Sequence, residues 1–204
     1  MIRSSLPRLG ILLSGRGSNF EAIARNVLGG QLDCEIGFVF SNKPDAPGLN
    51  RAREMGLPSG CIPSAGKDRV EFDRQVVEAL KQHGVDLVCL AGYMRLLSGG
   101  FVSQFAQRIL NIHPSLLPSF PGLDAQYQAL QHGVKVTGCT VHFVDENLDS
   151  GPILLQVPVP VLDEDTVETL SRRILSEEHR IYSEAIAWVL QGNFRIENRR
   201  VIRT

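Results

Sequence analysis

The sequence predicts an α/β protein built on a doubly wound, mostly parallel sheet, with an antiparallel C-terminal portion and a long late helix. Three observations predict it. Short runs that are apolar on both faces, such as Leu9-Gly10-Ile11-Leu12-Leu13 and Leu87-Val88-Cys89-Leu90, read as strands covered on two sides. Amphipathic helical segments alternate with them, as crossover helices do. After Gly122 the pattern changes. Val136 to Val144 and Ile153 to Val161 then read as strands joined by the polar stretch Asp145 to Pro152.

The elements follow in order. Leu9 to Leu13 is the first strand, and Ser14-Gly15-Arg16-Gly17-Ser18-Asn19 is a tight loop opening a helix over Phe20 to Val27. Ile36 to Phe40 is the second strand. Pro47 to Met55 is a helix with proline near its start, where the missing N–H costs nothing. Pro58 to Ile62 is a weak third strand. Asp68 to His83 is a longer helix whose stripe is Val70, Phe72, Val76, Val77 and Leu80, ended by Gly84. Leu87 to Leu90 is a fourth strand, and Arg108-Ile109-Leu110 opens another. Ala125 to Gln131 is a short helix. Thr166 to Leu190 is the long one, with Asp163, Glu164 and Asp165 where negative charge suits the dipole. Phe194-Arg195-Ile196 and Val201-Ile202 form a short hairpin around Asn198.

The length, 204 residues, suits one domain, or one with a short appendage. With 21 basic and 22 acidic residues the charge is balanced, which points to neither nucleic acid nor an acidic membrane. No apolar run is long enough to span a bilayer. The start, Met1 to Pro7, lacks a signal-peptide core, so a cytoplasmic location is expected. Cys34, Cys61, Cys89 and Cys139 are too scattered for a zinc or redox pair and read as structural thiols.

Ligands of doubly wound sheets bind beyond the strands' carboxyl ends. The Gly15 loop, the Gly92 turn and the Asn111 segment all sit there. The Gly15 loop offers close backbone approach and a helix N-terminus to an anion. It lacks the full Gly-x-Gly-x-x-Gly spacing and the Lys-Ser/Thr ending, so a plain tight turn also fits. In Asn111-Ile112-His113-Pro114, an amide and an imidazole stand two apart at a strand end and share a face. They form a candidate catalytic pair, or they cap chain ends. Asp149, just before Ser150-Gly151-Pro152, is a carboxylate that can orient His113 and favour its charged form; it also fits as a solvated hairpin acid. His142, within an apolar strand, reads as structural, and His83 and His132 read as helix C-caps. His179 is mid-helix and faces either a site or solvent. No His, Asp and Glu set has metal-ligand spacing, which argues for metal-free chemistry, and there is no Gly-x-Ser-x-Gly elbow.

Several motifs taken together, in order, closely resemble the glycinamide ribonucleotide formyltransferase family of purine biosynthesis, from about Leu9 to Asn193. They are Ser14 to Asn19, Ser41-Asn42-Lys43, Leu90-Ala91-Gly92-Tyr93-Met94-Arg95-Leu96-Leu97, Asn111 to Pro118, Thr140-Val141-His142-Phe143-Val144 and Leu148-Asp149-Ser150-Gly151-Pro152. The resemblance implies a Rossmann-like formyltransferase fold. It also implies transfer of a formyl group from the co-substrate 10-formyltetrahydrofolate to the amine of glycinamide ribonucleotide, without a metal. The family's catalytic asparagine, histidine and aspartate fall on Asn111, His113 and Asp149. Its phosphate loop falls on Gly15, Arg16, Gly17, Ser18 and Asn19, with Arg69 assisting. Its ribose acid falls on Glu178. Its folate pocket falls on Met94, Arg95, Leu96, Leu97 and Val102, with the backbone of Val144 and Asp145, beside Asn111.

A single formyltransferase domain over 1–204 is therefore expected: 8–110 as a nucleotide-binding half, 111–190 as a folate-binding and catalytic half, and 191–204 as a tail or short hairpin. Two positions depart from the family pattern. Gln126 stands where a histidine is usual, which bears on tuning of the active-site loop. Ser183 replaces a proline after Ile181-Tyr182, which removes one source of a helix kink. The alternatives are a formyltetrahydrofolate deformylase or a non-catalytic folate or nucleotide module. A deformylase is expected to carry a domain before Leu9, and a tRNA formyltransferase a basic C-terminal one. The expected partners are the two small substrates, with no nucleic acid and no membrane; a homodimer is compatible with the chain.

Overall fold

Arg8–Leu13 forms β1 and Glu35–Ser41 forms β2, where the first two apolar runs stand. The computed structural model describes residues 6–204. Met1 to Ser5, the start of the stretch read as lacking a signal-peptide core, lie outside the described residues. Residues up to Leu110 form one compact unit and Asn111–Thr204 a second.

In the first unit β1 pairs parallel with β2 and with β4 (Leu87–Leu90), and β2 pairs parallel with β3 (Ser59–Cys61). The order is β3-β2-β1-β4. Parallel neighbours need crossovers, supplied by α1 (Ser18–Leu28), α2 (Pro47–Glu54) and α3 (Arg69–Gln82). The strands are buried on both faces: Leu9, Ile11, Leu12, Leu13, Val39 and Val88 are fully buried, as are Phe20, Ile23, Leu49 and Phe72 on the helices. Helix α3 begins where Asp68 accepts from the Val70 and Glu71 N–H groups at 2.9 and 3.1 Å. It ends at His83, whose Nδ1 lies 2.8 Å from the Ala79 carbonyl.

One helix, α4 (Gly99–Gln104), is absent from the sequence expectations. Two glycines begin it and six residues give no periodic stripe, so propensity and pattern are both silent. It forms because Ser98 caps it, accepting from the Phe101 N–H at 3.3 Å, and because Phe101 is buried.

Strand β5 (Ile109–His113) leaves the first unit at Leu110 and opens the second at Asn111. The second unit holds α5 (Ala125–Gln131), then β6 (Val136–Phe143) antiparallel to β7 (Ile153–Pro160). Helix α6 (Val167–Gln191) follows, then the hairpin β8 (Phe194–Glu197) and β9 (Arg200–Arg203), with β9 parallel to β7. The antiparallel portion and the long helix stand where expected. Thr166 and Thr169 cap α6 reciprocally, at 3.2 and 2.9 Å. Asp165, rather than acting through the dipole alone, takes a two-pronged contact from Arg173 at 2.7 and 2.8 Å. Ser183 is buried within an unbroken α6. No helix among the described residues is long and apolar enough to cross a membrane. Cys34, Cys89 and Cys139 are buried, whereas Cys61 on β3 is half-exposed.

Candidate active site

In the first unit, β1 ends at Leu13 and α1 starts at Ser18, so the loop between them must turn sharply. Gly17 makes that turn with φ +75°, a left-handed conformation that costs a residue with a Cβ. A Cβ there would also lie 3.2 Å from Gly48 Cα. Ser14 fixes the loop's base: its hydroxyl donates to Asn42 Oδ1 at 2.6 Å and accepts the Met94 N–H at 2.9 Å. No side chain caps α1, so its first turn keeps donors for an anion. The loop opens on a cavity of about 300 Å³ lined by Ser14 to Asn19, Lys43, Ala91, Gly92 and Met94. Lys43 is the cation that the sequence reading did not assign to the site; its place just past β2, a strand carboxyl end, is the signal. Arg69 is exposed at the start of α3 and lies outside this lining.

In the second unit, Asn111 and His113 lie on one face of β5, as their spacing predicts, and both meet Asp149. His113 Nδ1 is 3.4 Å from Asp149 Oδ2, and Asn111 Nδ2 is 3.5 Å from Asp149 Oδ1. Asp149 sits at φ +46° in the turn before β7 and is far from the solvated hairpin acid considered above. The Gly122 N–H donates to its Oδ2 at 2.8 Å. Gly151 makes that turn possible, because a Cβ there would fall 1.9 Å from the Phe143 carbonyl oxygen. His113 Nε2 is 2.8 Å from the Phe120 carbonyl. A carbonyl only accepts, so Nε2 carries a proton, and Nδ1 is the nitrogen left to face Asp149.

His142 joins this group and is more than a packed strand residue. Its Nδ1 lies 2.9 Å from the Phe143 carbonyl, which places the proton there. Its Nε2 then accepts from Asn111 Nδ2 at 3.2 Å. That contact fixes which end of the Asn111 amide points inward. One Asn111 N–H is held by His142. The other makes only the 3.5 Å approach to Asp149, too long to be strong, and is free to turn to a better acceptor. A histidine flanked by apolar residues on a strand gives no sign of this.

The remaining predicted residues divide between the units. Met94 and Leu96 are exposed and Leu97 is buried in the loop after β4, and the Arg95 guanidinium lies 4.6 Å over the Phe72 ring. Val102 follows on α4, half-buried. In the second unit, Val144 and Asp145 are half-buried just past β6, and Glu178 is buried on α6. Glu178 is close enough to Cys139 to help burial push that thiol up to about 12. Among the described residues Gln126 makes no side-chain hydrogen bond, whereas Gln128 does. No group of three or more His, Cys, Asp or Glu side chains among the described residues is arranged to hold a metal ion.

The first unit thus carries a glycine loop at a strand's carboxyl end and the second an Asn-His-Asp cluster at another, features of an α/β enzyme. The chain belongs to the formyl transferase family, whose model matches residues 8–186. Phosphoribosylglycinamide formyltransferase of Escherichia coli (strain K12) is 43% identical over 91% of this chain and 88% of its own length. The trifunctional purine biosynthetic protein adenosine-3 of Homo sapiens is 46% identical over 93% of this chain, which spans only 19% of that relative's length. The crystal structure of glycinamide ribonucleotide transformylase 1 from Symbiobacterium toebii superposes with a TM-score of 0.95 at 53% identity, covering 98% of this chain and 95% of that one. A formyltetrahydrofolate deformylase from Pseudomonas syringae shares the fold at a TM-score of 0.92 but is 28% identical, and 66% of its chain is covered.

Proposed function

We propose that this chain transfers the formyl group of 10-formyltetrahydrofolate to the amine of glycinamide ribonucleotide, giving formylglycinamide ribonucleotide and tetrahydrofolate. The observation that carries this is the convergence of Asn111 and His113 on Asp149, each with a side-chain nitrogen within 3.5 Å of a carboxylate oxygen. The uncharged amine attacks the formyl carbon, a C–N bond forms and the carbonyl π pair moves onto oxygen. The Asn111 N–H not held by His142 turns to that oxygen; losing one such donor typically costs about a hundredfold to a thousandfold. His113 adds a second donor through Nδ1, since Nε2 is committed to Phe120. The tetrahedral centre then collapses, the bond to the folate nitrogen breaks, and Asp149 passes the amine's proton to that nitrogen.

The Gly15 to Asn19 loop, with Lys43, suits the nucleotide phosphate, and Arg69 and Glu178 are the further nucleotide contacts on this reading. Met94 to Leu97, Val102, Val144 and Asp145 hold the folate. On this reading 8–110 supplies the phosphate loop and part of the folate pocket, and 111–190 the rest of the folate pocket, the ribose acid and the chemistry. Holding two substrates at reacting distance supplies a large further share, with effective molarities of at least ~10⁵ M for well-oriented groups. A net charge of −1 suits a cytoplasmic enzyme of two small molecules that uses no nucleic acid and no metal; a homodimer fits this reading as well as a monomer.

Turnover of 10-formyltetrahydrofolate, followed spectrophotometrically with and without glycinamide ribonucleotide, tests the proposal. Turnover is expected only with the nucleotide, and Asp149→Asn is expected to lose at least about a hundredfold. Turnover with water alone would move the chain to the deformylases. Near-normal activity in Asp149→Asn would remove the assigned trio.

A further inference from the structure

We propose that Gln128 is a positioning residue that holds the loop on which both His113 and Asp149 depend. The inference rests on the assignment of His113 and Asp149 above. Residues 119–124 carry two of the contacts that aim the site. The Phe120 carbonyl accepts from His113 Nε2 at 2.8 Å, and the Gly122 N–H donates to Asp149 Oδ2 at 2.8 Å. The segment has little of its own to keep it in place. Phe120 and Asp124 have φ of +54° and +55°, and Gly122 has +80°. Pro121, Leu123 and Asp124 are exposed. Residues other than glycine occupy such φ values only when something outside the backbone compensates.

Gln128 supplies that compensation. It stands one turn into α5, half-buried, and its Nε2 reaches back to two carbonyls, Leu123 at 2.8 Å and Pro121 at 3.3 Å. These are the carbonyls on either side of Gly122. Both are acceptors, so the amide must present its nitrogen, and both its N–H groups are used. The Pro121 carbonyl shares its peptide plane with the Gly122 N–H, so the contact to it bears directly on where that N–H points, while the contact to the Leu123 carbonyl anchors the chain just beyond Gly122. A second contact steadies the other end: the Ser115 hydroxyl lies 2.5 Å from the Ser119 carbonyl and 3.3 Å from that of Phe120. Gln128 touches no group assigned to the chemistry. It acts through Gly122 on Asp149 and, one residue further, through Phe120 on His113.

Two variants test this. Gln128→Met keeps the size and helix preference but cannot donate; Gln128→Glu keeps the shape and turns an acceptor toward two carbonyls. Each is expected to lower kcat about tenfold, the worth of roughly one lost hydrogen bond. KM for the nucleotide should stay within about twofold and thermal stability near the parent's. Amide hydrogen exchange at Gly122, read by NMR, should be faster in both variants while exchange in α6 is unchanged. A uniform rise in exchange with KM and kcat both altered would mean a merely structural role and would overturn the proposal. So would parental kcat in both variants. Asp149→Asn is measured alongside. If it is inactive while Gln128→Met is normal, the clamp alone fails. If Asp149→Asn is active, the assignment beneath the clamp fails.

Discussion

His142 is 2% exposed, and burial removes the water that would stabilise its cation, so its pKa is pushed below the ordinary 6.5. The Phe143 carbonyl and the charge of Asp149 pull the other way but are the smaller effects. The neutral ring has one donor and one acceptor, and both are used, toward Phe143 and from Asn111. Protonation would set an N–H against the Asn111 amide nitrogen and force that amide to turn over. The sign of the pH effect follows. Between the lowered folded pKa and 6.5 the unfolded chain binds a proton that the folded chain does not, so stability rises with pH across that window. The contribution is complete above 6.5 and is lost as pH falls through and below it. Urea midpoints of the parent should therefore drop between about pH 7.5 and about pH 5.5, and the drop should be smaller in His142→Gln, which accepts without titrating. Equal drops in the two proteins would mean that His142 is not held neutral.

The joint between β6 and β7 is the element on which the site is most exposed to a single change. The antiparallel pair shifts register between Val141 and His142, next to the turn that carries Asp149. Gly151 passes so close to Phe143 that an added Cβ would sit 1.9 Å from its carbonyl oxygen, which no side-chain adjustment relieves. Gly151→Ala should therefore open the end of this pair, at a cost of about 1–3 kcal/mol or more, and lose activity beyond what the stability change explains. Wild-type Tm and kcat in that variant would show that the turn has room this structure denies it. The pair Gly151-Pro152 is itself a turn signal, but its pressure on Phe143, eight residues back, is not legible in the sequence. The same division runs through the elements. Helix α3 is legible to within a residue because Asp68, the stripe Phe72, Val76, Val77 and Leu80, and Gly84 all agree, although Val70, expected in that stripe, is exposed. Helix α4 was invisible because burial of Phe101, a tertiary fact, forms it.

At the scale of the whole molecule, the two candidate regions differ in how the sequence encodes them. Asn111 and His113 are legible as a pair because strand geometry alone aligns residues two apart. Asp149 is 38 residues from Asn111, and the turn after it marks it only as a candidate, equally readable as a solvated hairpin acid. His142 escapes for the same reason, since its partner Asn111 stands 31 residues away. The Gly15 loop is local, and its role can be tested on the intact chain by linkage. A ligand at a hundred times its Kd stabilises the fold by about 2.7 kcal/mol, which for a chain of this size raises Tm by roughly 5–10 °C. Glycinamide ribonucleotide and 10-formyltetrahydrofolate should each do so. In Gly17→Val the added atoms meet Leu13 and Gly48 at 3.1 and 3.2 Å, and φ +75° strains the backbone, so the cradle is distorted. Measured against its own unliganded Tm, that variant should lose most of the shift given by the nucleotide and keep the shift given by the folate. Equal nucleotide shifts in variant and parent would place the phosphate elsewhere. Loss of both shifts together would mean that the loop supports the fold as a whole and not one ligand.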